Sequence, residues 1–571
     1  MAPLGKKARQ AAASTPVSLP GPPSSDSFDV LLAQQRPFGD SAYLHEQVQA
    51  RYHQRLLKIA ADLPIAGALS SALESATPYR QYRTLGDPVV RHAVHQVLRH
   101  VWHGAGEGRL ATEGPSPIHG LSLAGCEEIF RETIGHLEGG GRGGPLESSG
   151  PGLRRLGAEV CHGSLWSEEH RDDVFGRSFR GMVHDNFGGA PLCVPTAAES
   201  ARISLGAELL GILMPHCARS VLSHAHLTVI VPHVGSWKRK GSCSEFRLSG
   251  TIFLNREMLA NPWWVAEHLL HESLHQKLYD FRHTHSLLAE DLSADWQPGP
   301  GAAAVRAIWN VGGNSAANAW DTFRAIAAFH VYVHLAAFSV QVERRRTELA
   351  RRFGAPPEGT GPAMTHRREA FERAQFLGRR IKDTCWQEMG PAGRLLVAWL
   401  GSVLGGIDRA PPPRDSLYLH LLLDRYLLEA NLVAEKTGDK AGDKTGDKTG
   451  DKVGPSAQLE ARLAEVLGHE IEILRGVLVA VQADREELER LDQAGSARPE
   501  EPAGTAFQRF RRVAAGILRV HSPDGYGLRI TSSIGAPGPS TAALDELVEG
   551  MVNRSTEALR PVLELAPPPA R

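Results

Sequence analysis

The segment His271-Glu272-Ser273-Leu274-His275 sets two imidazoles four residues apart, with a carboxylate between them. On a helix, residues four apart share one face and their side chains come close enough to hold one small ion. Two imidazoles in that arrangement suit a divalent metal. Glu272 projects beside them, within reach of a metal-bound water or ligand. Trp263, Trp264, Val265, Leu269, Leu270, Leu274 and Leu278 cover the other faces, so the helix is expected to be buried. Two imidazoles and a carboxylate are costly to bury unless something pairs with them, and a metal does so. With 26 histidines in 571 residues, a chance match is the competing explanation. The helical context and the strand just before it favour a real site. His268, three residues earlier, reads as a satisfied core histidine beside the site rather than a ligand.

A catalytic metal of this kind takes a third protein ligand. The extended pattern of one peptidase class would place Gly at 278 and His at 281, but the chain has Leu278 and Phe281. Glu290, Asp291 and Asp295 offer carboxylates in polar sequence, and His283 and His285 follow the helix. The favoured candidate is His330, with His334 as its substitute, in the apolar run Ala327-Ala-Phe-His-Val-Tyr-Val-His-Leu-Ala336. Arg324 precedes His330 by about one and two-thirds helical turns. An arginine near a metal needs an anionic partner, and a planar carboxylate matches its guanidinium fork.

The elements that must position these groups can be read from periodicity. His226–His233 is β-branched and bounded by turn residues, which predicts a strand, and Phe246–Asn255 predicts a second with Gly250 inside it. The basic, polar stretch 235–245 between them reads as a loop. Asn261-Pro262 opens a helix from about Trp263 to Asp280. A long apolar helix is expected from about Ala317 to Leu349. Ala197–Leu213, the segments Leu44–Leu63 and Val89–Trp102, most of 365–404, and 415–434 are also predicted helical. The expected fold class is mainly α with a small β-sheet (α+β), the motif helix packing beside a short antiparallel sheet, with a further helical region at the C-terminus.

The order of these segments resembles a known family. A strand with Ser-Gly-Thr-Ile-Phe-Leu (249–254) precedes Trp264-Val-Ala-Glu-His-Leu-Leu-His-Glu-Ser-Leu-His-Gln-Lys-Leu278, and Trp320-Asp-Thr-Phe-Arg-Ala-Ile-Ala-Ala-Phe-His-Val-Tyr-Val-His334 follows. This is similar to the bacterial HExxH-motif proteins associated with ribosomally made, modified peptides, described as α-ketoglutarate-dependent peptide β-hydroxylases. The resemblance covers about 240 to 345, less than a fifth of the chain. It departs from the family where Arg-Pro is usual, since Arg324 is followed by Ala325, and where Gly adjoins the histidine, since Val331 follows His330. The resemblance implies Fe(II) on His271, His275 and His330, with α-ketoglutarate chelating the metal and its far carboxylate on Arg324. It also implies His334 beside the co-substrate, Glu272 orienting a ligand or holding a proton, and a ribosomally made peptide as substrate. From the motif alone, the alternatives are a zinc metallopeptidase with Glu272 as general base and a non-catalytic metal- or peptide-binding protein.

Composition bounds the rest. A net charge of −1 supplies no global field for nucleic acid or anionic membrane. No uninterrupted apolar run reaches the ~18 residues of a membrane span. Neither nucleic acid nor a membrane is therefore expected as a partner. The first 27 residues lack an apolar core and read as a disordered leader rather than a secretory signal. Cys126, Cys161, Cys193, Cys217, Cys243 and Cys385 are spread too widely for a metal clip and read as reduced cytoplasmic thiols. The predicted organisation is an N-terminal helical region (28–138), a metal-binding catalytic domain (153–434), a flexible linker of repeating Lys-Thr-Gly-Asp (435–455), and a C-terminal helical region (456–571). Composition does not fix the oligomeric state.

Overall fold

The computed structural model describes residues 25–409 apart from the loops 105–120, 148–153, 156–162, 168–172, 290–302, 311–317 and 358–363 and positions 142, 190 and 239, plus part of 411–428 and of 548–553. The Lys-Thr-Gly-Asp linker, nearly all of the expected leader and C-terminal region, and the candidate ligands Glu290, Asp291 and Asp295 lie outside the described residues.

The first half is helical: α1 (Ser25–Gln34), α2 (Ser41–Ile59), α3 (Pro64–Glu74), α4 (Pro78–Gly86), α5 (Pro88–Gly104) and α6 (Leu123–Glu138). Short polar side chains start several of these helices. Asp40 accepts from the Tyr43 amide at the start of α2, and Thr77 from Arg80 at the start of α4, satisfying amides that the first turn leaves without a partner. Strands β1 (Arg154–Arg155) and β2 (Ser164–Leu165) follow, then α7 (Val174–Phe187), α8 (Ala197–Leu213) and α9 (Pro215–Leu222). The α8 helix opens on a reciprocal Thr196/Glu199 capping box and has the bounds its periodicity predicts.

Next come β3 (Leu227–Val231), β4 (Ser242–Cys243), β5 (Thr251–Asn255) and the motif helix α10 (Pro262–Thr284). A two-strand ribbon, β6 (Ala304–Arg306) with β7 (Ala319–Asp321), leads into α11 (Thr322–Phe353), α12 (Arg367–Thr384) and α13 (Pro391–Ile407). The fold is mainly α with a small sheet, as the sequence predicts. The sheet itself is mixed rather than antiparallel. Its order is β1-β2-β3-β5-β4, with β2, β3 and β5 parallel and only the outer strands reversed.

The parallel pairing follows from burial on both faces. Every residue of β3 and β5 is buried. Leu227, Val229, Val231 and Phe253 join one apolar cluster with α2–α7, while Ile230, Ile252 and Leu254 join another with α8–α13. Strands covered on both sides read as continuous apolar runs and are typically parallel. The N-terminal helical region therefore does not form its own core: its side chains close one face of the sheet that precedes α10. The predicted second strand is half right. Phe246–Leu248 is a short 3-10 turn, and Gly250, at φ +96°, reverses the chain before β5. A Cβ there would meet the Gly86 carbonyl oxygen at 2.5 Å, so only glycine fits. The Gln276 amide fixes this turn to α10, accepting from the Gly250 N–H at 2.6 Å and donating to the Thr251 carbonyl at 2.8 Å.

The α11 helix is long and apolar enough to cross a membrane by composition, but 78% of that window is buried within the fold. The five described cysteines are free, and Cys161 lies outside the described residues.

Candidate metal centre

Asn261 starts α10 by accepting from the Trp263 and Trp264 amides, with Pro262 in the first turn. From there the helix runs 23 residues through the core. At Gly206, a Cβ would sit 2.3 Å from the Val265 side chain, so the missing side chain lets α8 approach α10 closely. The motif helix is thus clamped by its neighbours before its polar face is considered.

That face brings His271, Glu272 and His275 together, with their ligand atoms all within 4.8 Å of one another. It is the one such group of three or more among the described residues. The two imidazole centroids are 5.1 Å apart and tilted by 56°. The His271 side chain is 30% exposed, which leaves the group an opening to solvent. Glu272 is 2% exposed. Its Oε1 accepts from the Ser242 hydroxyl at 2.5 Å, and its Oε2 is buried without a hydrogen-bond partner. A buried carboxylate oxygen without a donor is costly and calls for a ligand or ion. Burial pushes the His275 imidazole well down, and the His271 and Arg324 charges push the same way. The ring is therefore neutral, the form a metal ligand needs. Two imidazoles beside an orphaned carboxylate oxygen fit a divalent cation.

The surroundings come from three elements. β4, predicted as loop, is the edge strand that pairs Ser242 with Leu254 and Cys243 with Phe253. This register is what carries Ser242 to Glu272. Burial, reinforced by the Glu272 charge, pushes the Cys243 thiol up, so it stays protonated and is a poor ligand. Burial also raises the Glu245 carboxyl, with Lys240, Arg247 and Arg324 opposing and the Glu272 charge adding to the rise. Tyr279 projects from α10 one turn beyond His275, and its hydroxyl donates to the Ser244 carbonyl at 3.4 Å. Burial and the Glu245 charge raise the Tyr279 hydroxyl. Ser242, Glu245 and Tyr279 were missed by sequence reasoning. Of these only Tyr279 had a signal, its four-residue spacing from His275.

Arg324 sits in the first turn of α11, its amide donating to the Asp321 cap at 2.7 Å. Its guanidinium carbon is 5.1 Å from the Trp320 ring centroid. Its charge acts on both His275 and Glu245. The predicted arginine thus lies near enough for its charge to act on His275, one member of the histidine pair.

His330 and His334 do not belong to the close group. Both are buried on α11, their rings edge to face at 4.6 Å. His334 Nδ1 lies 2.8 Å from the His330 carbonyl oxygen, a bond within its own helix. Among the described residues His330 Nδ1 is buried without a hydrogen-bond partner, and the charges of His334, Lys277, His275 and His224 act on its ring in that order. Burial depresses both imidazoles, that of His334 to about 3.

The other candidates face elsewhere. His268 stacks on Trp264 at 3.8 Å and bonds the Trp264 carbonyl at 2.9 Å, so it is a satisfied core residue as predicted. His283 stacks on Phe246, and His285 meets the Tyr43 hydroxyl at 3.2 Å. Comparison with known proteins found no matching family model and no matching curated relative.

Proposed function

We propose that the protein is a cytoplasmic Fe(II)- and α-ketoglutarate-dependent oxygenase that hydroxylates a β-carbon of a ribosomally made peptide. The observation that carries this reading is Arg324 at the start of α11, a cation whose charge acts on His275 of the motif pair and which can receive the far carboxylate of a small dicarboxylate. Asp321 holds the start of α11, and the Trp320 face lies against the guanidinium, so the fork is positioned before any ligand arrives.

His271 and His275 would hold the metal. Of the two later histidines, His330 is the better third ligand, since its Nδ1 is uncommitted while that of His334 is bonded to backbone. Fe(II), when bound, supplies the redox chemistry: α-ketoglutarate and dioxygen give succinate and carbon dioxide, and one oxygen atom passes to the peptide. Glu272 has a divided role. Ser242 fixes Oε1, while Oε2 can hold a proton or orient a ligand beside the pair. The half-exposed rim at His271 leaves the approach for the peptide.

The same free Oε2 favours a second reading, a zinc peptidase in which Glu272 is the general base for a metal-bound water. One substitution separates the two. Glu272→Gln should remove peptidase activity by several orders of magnitude and leave an oxygenase with measurable turnover. Succinate formation by anaerobically prepared protein given Fe(II), α-ketoglutarate and oxygen tests the favoured reading. Peptide cleavage by the zinc form, abolished by Glu272→Gln, would replace it.

A further inference from the structure

The face of α10 turned away from the metal motif carries a second chemical arrangement. Asp280 lies nine residues after His271, about two and a half turns, and so projects from the opposite side of the helix. Its Oδ2 is 2.6 Å from Nδ1 of His224. The other nitrogen of that ring, Nε2, is 2.9 Å from the hydroxyl of Ser41. Hydroxyl, imidazole and carboxylate thus stand in line at hydrogen-bond distances, the arrangement by which a serine is made nucleophilic, recognised by geometry whatever the chain order.

The donors and acceptors assign one direction to this line. Arg91 stands 2.7 Å from Oδ1 of Asp280, and the Tyr82 hydroxyl donates to Oδ2 at 3.1 Å. Burial alone would raise the Asp280 carboxyl, but Arg91 and His224 hold it well below the usual carboxylate range. An ionised Asp280 accepts the Nδ1 proton, which leaves the Nε2 lone pair facing Ser41. Burial lowers the His224 imidazole despite Asp280, so the ring is a neutral base.

A second chain reaches the same hydroxyl from the other side. Lys277 Nζ donates to the Ser220 hydroxyl at 2.8 Å, and that oxygen is 2.7 Å from Ser41 Oγ. The Ser220 hydroxyl also donates to the Gly39 carbonyl at 3.1 Å, so Ser220 joins Lys277 to Ser41 through its oxygen. The Ser220 carbonyl, 3.0 Å from Ser41 Oγ, is the competing acceptor for the serine proton.

Ser41 is not sealed. It and Ser220 line a cleft of about 540 Å³. Ala33, Ala42, Pro78 and Tyr79 give that cleft an apolar wall, and Arg219 is a cation on its lining. The cleft therefore reaches the residue that carries the hydroxyl, which is itself 8% exposed.

We propose that Ser41, His224 and Asp280 form a second active centre, a serine esterase site for carboxylic esters with a short apolar acyl chain. The Ser41 hydroxyl bonds to the ester carbonyl carbon as its proton passes to His224 Nε2. The carbon–alkoxide bond breaks, and the alkoxide takes that proton and leaves as an alcohol. Water then attacks the acyl-serine, its proton passing through Nε2 back to Ser41 Oγ, and a carboxylic acid is released. The Ser220 hydroxyl, backed by Lys277, would turn from the Gly39 carbonyl to stabilise the oxyanion that forms on the way. Asp280 acts as a positioning residue that fixes the ring and its tautomer.

The test uses the full chain, a fluorophosphonate probe and mapping of the modified peptide, with a known serine hydrolase in the same tube as a control. The expected result is one adduct per chain, on Ser41, unchanged by chelation of metals. Ser41→Ala should lose it, and His224→Gln should slow it by on the order of 10²–10⁴-fold with the circular dichroism spectrum unchanged. Hydrolysis of p-nitrophenyl butyrate should follow the labelling. No adduct on Ser41 while the control is labelled would overturn the proposal, as would labelling unchanged in Ser41→Ala. Because the wild-type adduct is located directly, the result stands even if a variant does not fold, and metal analysis of the other face is untouched by it.

Discussion

The two faces of α10 carry similar residue types and treat them in opposite ways. On one face His271, Glu272 and His275 gather with a carboxylate oxygen that has no hydrogen-bond partner among the described residues. On the other, Asp280, 1% exposed, is met by Arg91, His224 and Tyr82, and Lys277 by the Gly39 carbonyl and the Ser220 hydroxyl. Asp280 and Arg91 form a buried ion pair, each charge offsetting the burial of the other. Groups held close together and left incomplete are where an external ligand finishes the pairing. The front face should therefore be stabilised by what binds it, and the back face should lose stability when its ion pair is broken.

The largest effect is expected on the back. Asp280→Ala leaves Arg91 buried without its counter-ion and should cost about 3–5 kcal/mol of stability in a denaturant titration. A loss under about 1 kcal/mol would mean the back face is no more structural than the front. Next comes the front. A divalent metal at 100 times its dissociation constant should add about 2.7 kcal/mol by mass action. Calorimetric melting with and without metal should show this, and His271→Ala should erase it.

A third contrast lies in acid. The Asp280 carboxyl titrates lower in the folded than in the unfolded chain. Its contribution is then fully present above the ordinary carboxylate range of ~4 and is lost as pH falls below it. Asp280→Asn should flatten this part of the stability–pH curve. The smallest expected change in stability is at Arg324, which is exposed on α11. Arg324→Ala should alter stability by no more than about 0.5 kcal/mol, yet raise the α-ketoglutarate concentration needed for half-maximal turnover.

The front face was legible in the sequence because helical spacing is a local property. His271 and His275 are four apart, and Trp263 to Leu278 mark the helix as buried without any tertiary information. The α8 helix and the strand at Leu227–Val231 were legible for the same reason. The second strand was blurred because Gly250 reverses the chain at a position where the apolar pattern continues unbroken. β4 left no periodic signal, being two residues long, and its register alone delivers Ser242 to Glu272. The apolar runs of β3 and β5 were compatible with parallel pairing, but their neighbours in the sheet are set by packing on both faces. The back face was invisible for a different reason. Lys277 and Asp280 stand in plain sight on the motif helix, but Ser41, Tyr82, Arg91, Ser220 and His224 come from four other segments of the fold. The third ligand that the proposed function calls for sits between these cases. His330 and His334 were singled out as histidines in an apolar run, and only the carbonyl bond of His334 distinguishes them.

The most direct test of the front-face account is metal content and co-substrate turnover on one anaerobic preparation, comparing the wild type with His271→Ala. The account predicts one iron per wild-type chain, succinate formed from α-ketoglutarate in the presence of oxygen, and neither in the variant. Retention of iron by His271→Ala, or a zinc form that cleaves peptides while the iron form makes no succinate, would contradict it.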